Sequence, residues 1–204
     1  MSCSYLRSVL TAGLLAAAVT SSAAQSVAQE SGTLVTYRNE RHGFSFSYPA
    51  AQFIALPSPT EDGRQFVSKD GSARLLVGTL PNFDNKNLRD YRTFVLNESY
   101  PGAKVDYAPL RGTWFVVSGT HNGMAFYQRV NFACGSRNIN SWAAVFPEGQ
   151  KAVYEPIIEQ VHRDYRLGTG NCNQRLSKYG PAHALIPLGR IVGRRYGHSP
   201  ASPR

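Results

Sequence analysis

The chain has 204 residues, of which 42% are apolar and 17% are charged. That length suits one domain with a proper hydrophobic core and is too short for two comfortable ones once an N-terminal leader is set aside. The formal net charge is +9, but residues 29–166 hold 15 Lys and Arg against all 13 Asp and Glu, whereas residues 167–204 hold six basic residues and no acid. The basicity therefore belongs to the tail, which argues against a nucleic-acid partner.

The N-terminus has the order of a secretory signal peptide. Arg7 precedes the apolar run SVLTAGLLAAAV, and small residues follow that run. A helix needs about 20 residues to cross a bilayer, so this run of about a dozen is too short for a retained anchor. We expect residues 1–28 to be removed after Ala24 or Ala28, which gives a periplasmic or secreted protein that does not span the membrane. An uncleaved transit peptide is the alternative.

Two cysteines remain after the leader, Cys134 and Cys172. In an oxidising compartment an even pair is more often bridged than free. Such a bridge would close a loop of 38 residues, for which chain entropy gives at most roughly 4 kcal/mol. A free, reactive Cys134 is the alternative.

The first half of the domain alternates strand signals with turns. Asp70-Gly71 separates two apolar runs, and this pair predicts a tight hairpin because Gly adopts positive φ freely. Asn87 can cap a helix in which Leu88 and Val95 share a face, and Pro101-Gly102 ends it. The strands expected before this helix cover residues 34–37, 44–48, 65–67 and 73–77.

The second half predicts more strands and a second helix. The strands cover residues 104–107, 113–119, 124–134 and 139–146, and Asn122-Gly123 marks a hairpin between the second and third. The run Trp114–Val117 is apolar on both faces, which indicates a central strand, and Cys134 is expected at the end of an inward-facing row. The second helix is expected from Ala152 to Tyr165, with a later start if Pro156 must lie in its first turn.

One phrase of the sequence resembles a known superfamily. Tyr37-Arg38-Asn39, followed by His42-Gly43-Phe44-Ser45-Phe46-Ser47-Tyr48-Pro49, is similar to the opening of Mog1/PsbP-like domains. The resemblance covers about residues 34–166. It implies an α+β fold, with a central antiparallel sheet of about six strands flanked by helices. The length of the chain separately predicts a single domain at 29–172. The resemblance also implies non-catalytic work, either binding a partner protein or assisting the assembly of a complex.

The polar residues of the sequence carry no recognised reaction signature. The histidines lack metal-ligand spacing, and the sequence contains neither a GxSxG elbow nor a phosphate loop. No catalytic residue, cofactor or metal is therefore expected. Cys134 with His162 could form the active site of a thiol hydrolase, but a disulfide with Cys172 explains Cys134 better.

We expect an exported binding or accessory module that contacts a protein partner in the cell envelope. Aromatic and arginine side chains dominate interface energies, so the expected contact surface combines one strand face with a hairpin tip. Its residues are His121, Asn122, Tyr127, Arg129 and Trp142. The alternative is attraction of an anionic envelope surface to the basic Gly/Pro/Arg tail at 173–204, which we expect to be disordered.

Overall fold

A computed structural model of the protein describes residues 33–58, 60–168 and 172. The expected signal peptide at 1–28 and the basic tail at 173–204 lie outside the described residues. The described part contains these elements in chain order: β1 Leu34–Arg38, β2 Ser45–Pro49, β3 Phe53–Ala55, β4 Gly63–Ser68, β5 Arg74–Pro81, α1 Leu88–Ser99, β6 Lys104–Tyr107, β7 Leu110–Arg111, β8 Trp114–His121, β9 Met124–Ala133, β10 Asn138–Pro147 and α2 Lys151–Asp164.

Eight of the described strands form one antiparallel sheet. Its order is β3-β4-β5-β10-β9-β8-β6, with β7 also paired to β8, while β1 and β2 form a separate two-stranded ribbon. The sheet is larger than the six strands expected because β3 and β7 join it, and runs of two or three residues carry no readable alternation. β8 is an interior strand, paired with β9 on one side and with β6 and β7 on the other, and Phe115 to Val117 are buried as predicted.

Both predicted hairpins are confirmed. The β4–β5 turn places Gly71 at a φ of 74°, and the β8–β9 turn places Asn122 at 50° and Gly123 at 74°. Positive φ at both central residues of the β8–β9 turn is the geometry of a two-residue turn that matches the strand twist, whereas Gly71 alone has positive φ in the longer β4–β5 loop. The Asp-Gly and Asn-Gly pairs therefore fix the pairing of their strands locally.

Both helices begin within one residue of the expected positions. The Asn87 side chain caps α1, accepting a hydrogen bond of 2.9 Å from the Asp90 backbone N–H. The start of α2 at Lys151 agrees with the expected Ala152, and the later start that Pro156 allowed is not observed, so Pro156 is the sixth residue and lies inside the helix. The missing N–H leaves the Ala152 carbonyl without its helical partner, and because both residues are exposed, water can satisfy it.

The two helices cover opposite faces of the sheet. Alternate residues of β9 show this division: Phe126, Val130 and Phe132 pack with α1, whereas Ala125 and Tyr127 belong to the α2 side. The ribbon joins the α2 side through buried Phe44 and Phe46. The result is a two-sided core with α2 and the ribbon over one face and α1 over the other.

The segment after α2 is held against β2. Arg166 and Ser45 exchange two backbone hydrogen bonds, of 2.8 and 3.1 Å. A Cβ at Gly168 would collide with the backbone of His42 and Phe44, so only glycine allows this approach. Gly168 therefore has a packing role after the end of α2.

Candidate functional site

Tyr127 and Arg129 share one face of β9, as the alternation of the strand predicted, and α2 covers that face in part. The strand register places Arg129 between Trp142 of β10 and Val116 of β8. His162, in the last turn of α2, lies beside both Tyr127 and Arg129. We call Tyr127, Arg129 and His162 the β9–α2 patch.

Trp142 lies beneath this patch, and its expected place on an exposed contact surface was wrong. Its side chain is only 1% exposed, because β10 is a central strand with α2 packed on it. The ring of Tyr127 stacks on the indole with centroids 4.9 Å apart, and the rings of His162 and Tyr165 lie 6.4 and 6.3 Å from it. Trp142 therefore supports the patch from within the core.

The hydrogen bonds of the patch define the tautomer of His162. Arg129 Nη1 lies 3.4 Å from His162 Nε2, and the Tyr127 hydroxyl lies 3.0 Å from His162 Nδ1. A guanidinium has only donors, so Nε2 must accept and the proton must be on Nδ1. The Tyr127 oxygen then accepts from Nδ1–H, which leaves its own hydroxyl hydrogen free to donate elsewhere.

The protonation states around the patch agree with this assignment. Desolvation, assisted by the nearby Arg129 charge, lowers the pKa of His162 below its ordinary value of 6.5. Burial raises the pKa of Tyr127 to about 12, although Arg129 opposes that rise. At neutral pH the patch therefore presents a neutral imidazole, a protonated phenol and one positive charge.

Arg129 is held in place by neutral partners. Its Nε donates to Asn131 Oδ1 at 3.1 Å, and its guanidinium carbon lies 5.0 Å from the centroid of the Trp114 ring. Asn131 is itself buried. Among the described residues, no carboxylate lies within 4.0 Å of this guanidinium. The half-buried charge is therefore fixed in orientation without an ion-pair partner from that part of the chain.

The hairpin tip does not share a surface with the patch, so the expected combination was wrong. His121 and Asn122 contact each other, with Asn122 Nδ2 3.0 Å from His121 Nε2. His121 pairs with Met124, which packs on the α1 side of the sheet, whereas Tyr127 belongs to the α2 side. The tip instead lies beside the end of β10, where the Glu148 N–H donates to the Gly123 carbonyl at 3.0 Å.

The two cysteines lie at disulfide-bonding distance. The sulfur atoms of Cys134 and Cys172 are 2.05 Å apart and the Cα atoms 5.3 Å apart. Cys134 follows the end of β9, in a turn with a φ of 55°, so its expected place in the inward-facing row of the strand was wrong. With its sulfur bonded and His162 engaged by Tyr127 and Arg129, Cys134 does not provide the thiol on which the hydrolase alternative depended.

His162 is the member of the patch that sequence reasoning placed elsewhere. The sequence suggested it only as a partner for Cys134, although it lies beside the apolar stripe of α2, which includes Ile157, Ile158 and Val161. Its position after Val161, at the border of that stripe, was the available signal. The sequence could not show that His162 would contact Tyr127 and Arg129, because those contacts depend on where the helix lies on the sheet.

A second polar cluster holds the loop between β1 and β2. His42 Nε2 and Arg41 Nη1 contact the same oxygen of Asp62, at 2.9 and 3.0 Å, and Asn39 Oδ1 accepts from the His42 backbone N–H. These bonds connect two loops within the fold and explain the buried His42. In the described ranges, no group of three or more His, Cys, Asp or Glu could hold a metal ion, and no helix is long and apolar enough to cross a membrane.

Comparisons with known proteins identify the fold. No family model matches the sequence, and no curated protein matches it. The solution structure of cyanobacterial PsbP (CyanoP) from Synechocystis sp. PCC 6803 is similar, with a TM-score of 0.50, 15% identity, and coverage of 67% of this chain and 93% of that one. A mutant of the protein Mog1 matches with a TM-score of 0.50, 10% identity, and coverage of 67% and 96%. The chain therefore has the Mog1/PsbP-like fold that its opening phrase indicated.

Proposed function

We propose that this protein is an exported, non-catalytic binding or accessory module that contacts a protein partner in the cell envelope. The β9–α2 patch is the observation that carries this proposal. It presents an oriented guanidinium and a tyrosine hydroxyl at the surface, and arginine and tyrosine are enriched among the residues that dominate interface energies.

Export is supported by two features of the chain. Arg7 and the apolar run after it have the order of a signal peptide. Cys134 and Cys172 lie at bonding distance, and disulfides persist in oxidising compartments such as the periplasm. A domain of residues 29–172 followed by a basic tail is the organisation that we propose for the whole chain.

Affinity capture from the envelope fraction tests the proposed function. The wild-type protein and an R129Q variant would be immobilised and the captured proteins identified. R129Q removes the charge of the patch while Tyr127 keeps its packing on Trp142, which alanine at Tyr127 would destroy. We expect R129Q to retain at most about a tenth of the captured partner, since residues of this kind often contribute about 2 kcal/mol or more to binding.

The matched control is R89Q. Arg89 is an exposed residue of α1, so this change alters net charge equally on the opposite face of the sheet. It should leave capture unchanged. Equal capture by R129Q and the wild type would contradict the assignment of the contact surface.

The basic tail is a second candidate for envelope contact because residues 167–204 hold six basic residues and no acid. Attraction of this kind is screened within about 10 Å at 0.1 M salt. Retention through the tail should therefore be lost at high salt in the wild type and in R129Q alike, whereas capture through the patch should distinguish the two proteins.

A further inference from the structure

We propose that the β9–α2 patch binds a carboxylate, supplied by an aspartate or glutamate of an acidic segment in the partner protein. This inference rests on the proposed function and adds the chemistry that the partner must offer.

Arg129 has donors left over for such a group. A guanidinium carries five N–H groups, and Arg129 uses one on Nε for Asn131 and one on Nη1 for His162. The remaining three have no acceptor among the described residues. A half-buried charge without a counter-ion is unfavourable, and an incoming carboxylate would remove that cost while forming charge-assisted hydrogen bonds.

Tyr127 supplies a further donor on the same side. Because its oxygen accepts from His162 Nδ1–H, its hydroxyl hydrogen can point toward a ligand. The contacts that His162 makes with Tyr127 and Arg129 are both exposed to solvent. A carboxylate arriving at the surface can therefore reach the phenol and the guanidinium together.

The guanidinium is preorganised for this role. The Trp114 ring supports one side of it, and Asn131, which is buried, fixes Nε from the sheet. An arginine held in this way loses little side-chain entropy when a ligand binds. The geometry therefore favours a ligand that accepts hydrogen bonds from N–H groups held in a fixed orientation.

The charge of the site favours a carboxylate over a phosphate. Arg129 is the single positive charge of the patch, because His162 is neutral when it accepts from Nη1. Arg163, the next residue of α2, lies 3.9 Å from Glu159 and donates to Gln160. One cation balances the single charge of a carboxylate, whereas a phosphate carries up to about two charges at neutral pH.

A peptide titration followed by NMR tests the inference. The purified full chain would be titrated with an end-blocked peptide containing two aspartates and, separately, with the same peptide carrying asparagines. The Arg129 Nε–H resonance should shift with the first peptide and not with the second. This measurement needs no variant, so it remains decisive if a substitution disturbs folding.

Variants then assign the contacts. R129K keeps the charge but loses the planar N–H donors of the guanidinium, and it should weaken binding of the aspartate peptide by about tenfold or more. Y127F keeps the stacked ring but loses the donor, and about three- to tenfold weaker binding is expected. R163K is the control, since it makes the same exchange one residue away from His162, and it should leave the affinity unchanged.

Three outcomes would overturn the inference: equal affinity for the two peptides, an equal loss in R163K and R129K, or tighter binding of inorganic phosphate than of the aspartate peptide. Partner capture that depends on Arg129 without aspartate selectivity would retain the proposed function and reject its acidic chemistry. Aspartate selectivity without any Arg129-dependent capture would reject the proposed function instead.

Discussion

His162 joins α2 to the sheet through both of its ring nitrogens. It can do so only as the neutral Nδ1–H tautomer, because Arg129 supplies a donor on one side. Protonation would place an N–H against the guanidinium and convert a hydrogen bond into a repulsive contact. The patch is therefore sensitive to the charge of one imidazole.

The stability of the protein should consequently depend on pH through His162. Desolvation first, and Arg129 second, lower its pKa from the ordinary value of 6.5. The unfolded chain therefore takes up this proton at a higher pH than the folded protein does. Above about pH 6.5, where His162 is neutral in both states, its contribution to the free energy of unfolding should be complete. That contribution should fall as the pH drops below about 6.5, and the loss should stop once the folded protein is also protonated.

The variant H162N provides the measurement. Asparagine keeps an N–H donor near the position of Nδ1 and does not titrate. Urea unfolding of the wild type and of H162N across this pH range should show a steeper loss of stability in the wild type. Parallel pH profiles for the two proteins would contradict the role assigned to His162.

At the residue scale, alternation predicted half of the site. Tyr127 and Arg129 were correctly placed on one face of β9 because side chains in a strand alternate strictly. The same rule could not say which face α2 would cover, and Trp142 was therefore expected to be exposed when it is 1% exposed. Its large apolar area is buried because the helix lies over β10, a tertiary fact that the strand sequence does not contain.

At the scale of elements, Cys134 and Cys172 connect the β9–β10 turn to the chain beyond α2. The loop between them contains β10 and α2, the two elements that lie beneath the patch and beside it. Linking its ends restricts the unfolded chain, and the effect grows with loop length. The bridge should therefore stabilise the domain mainly through its unfolded state.

Replacing both cysteines with serine tests this role. For a separation of 38 residues, the double variant should lose up to about 4 kcal/mol of unfolding free energy. The comparison is a urea titration against the oxidised wild type, with the reduced wild type as the control that should resemble the variant. Two cysteines that react fully with an alkylating reagent in the native protein would contradict the bridge.

Local signals predicted the elements well where a few neighbouring residues decide the structure. Asn87 as a cap and the Asp-Gly and Asn-Gly turns are confirmed because each depends on its own backbone geometry. β3 and β7 were missed because they exist only through pairing with a neighbouring strand. Pro156 does not delay the start of α2, since an exposed helix surface tolerates the lost hydrogen bond.

At the scale of the whole molecule, the strand order connects the patch to the β6 edge of the large sheet. Cross-strand pairing aligns Tyr107 of β6 with Ser118 of β8 and then Tyr127 of β9. Tyr107 is 57% exposed, so the row runs from the patch toward the β6 edge. The opening phrase of the sequence indicated the Mog1/PsbP-like fold, but the position of this row required the strand order.

Photocrosslinking tests most directly the central claim that a partner contacts this side of the sheet. A photoreactive phenylalanine analogue would replace Tyr107, or Ile54 of β3 as the control, which is 51% exposed and lies at the opposite edge. After irradiation of living cells, we predict a covalent adduct with an envelope protein from position 107 and none from position 54. That adduct should disappear when R129Q is added. An adduct formed equally from both positions, or one unaffected by R129Q, would contradict the account.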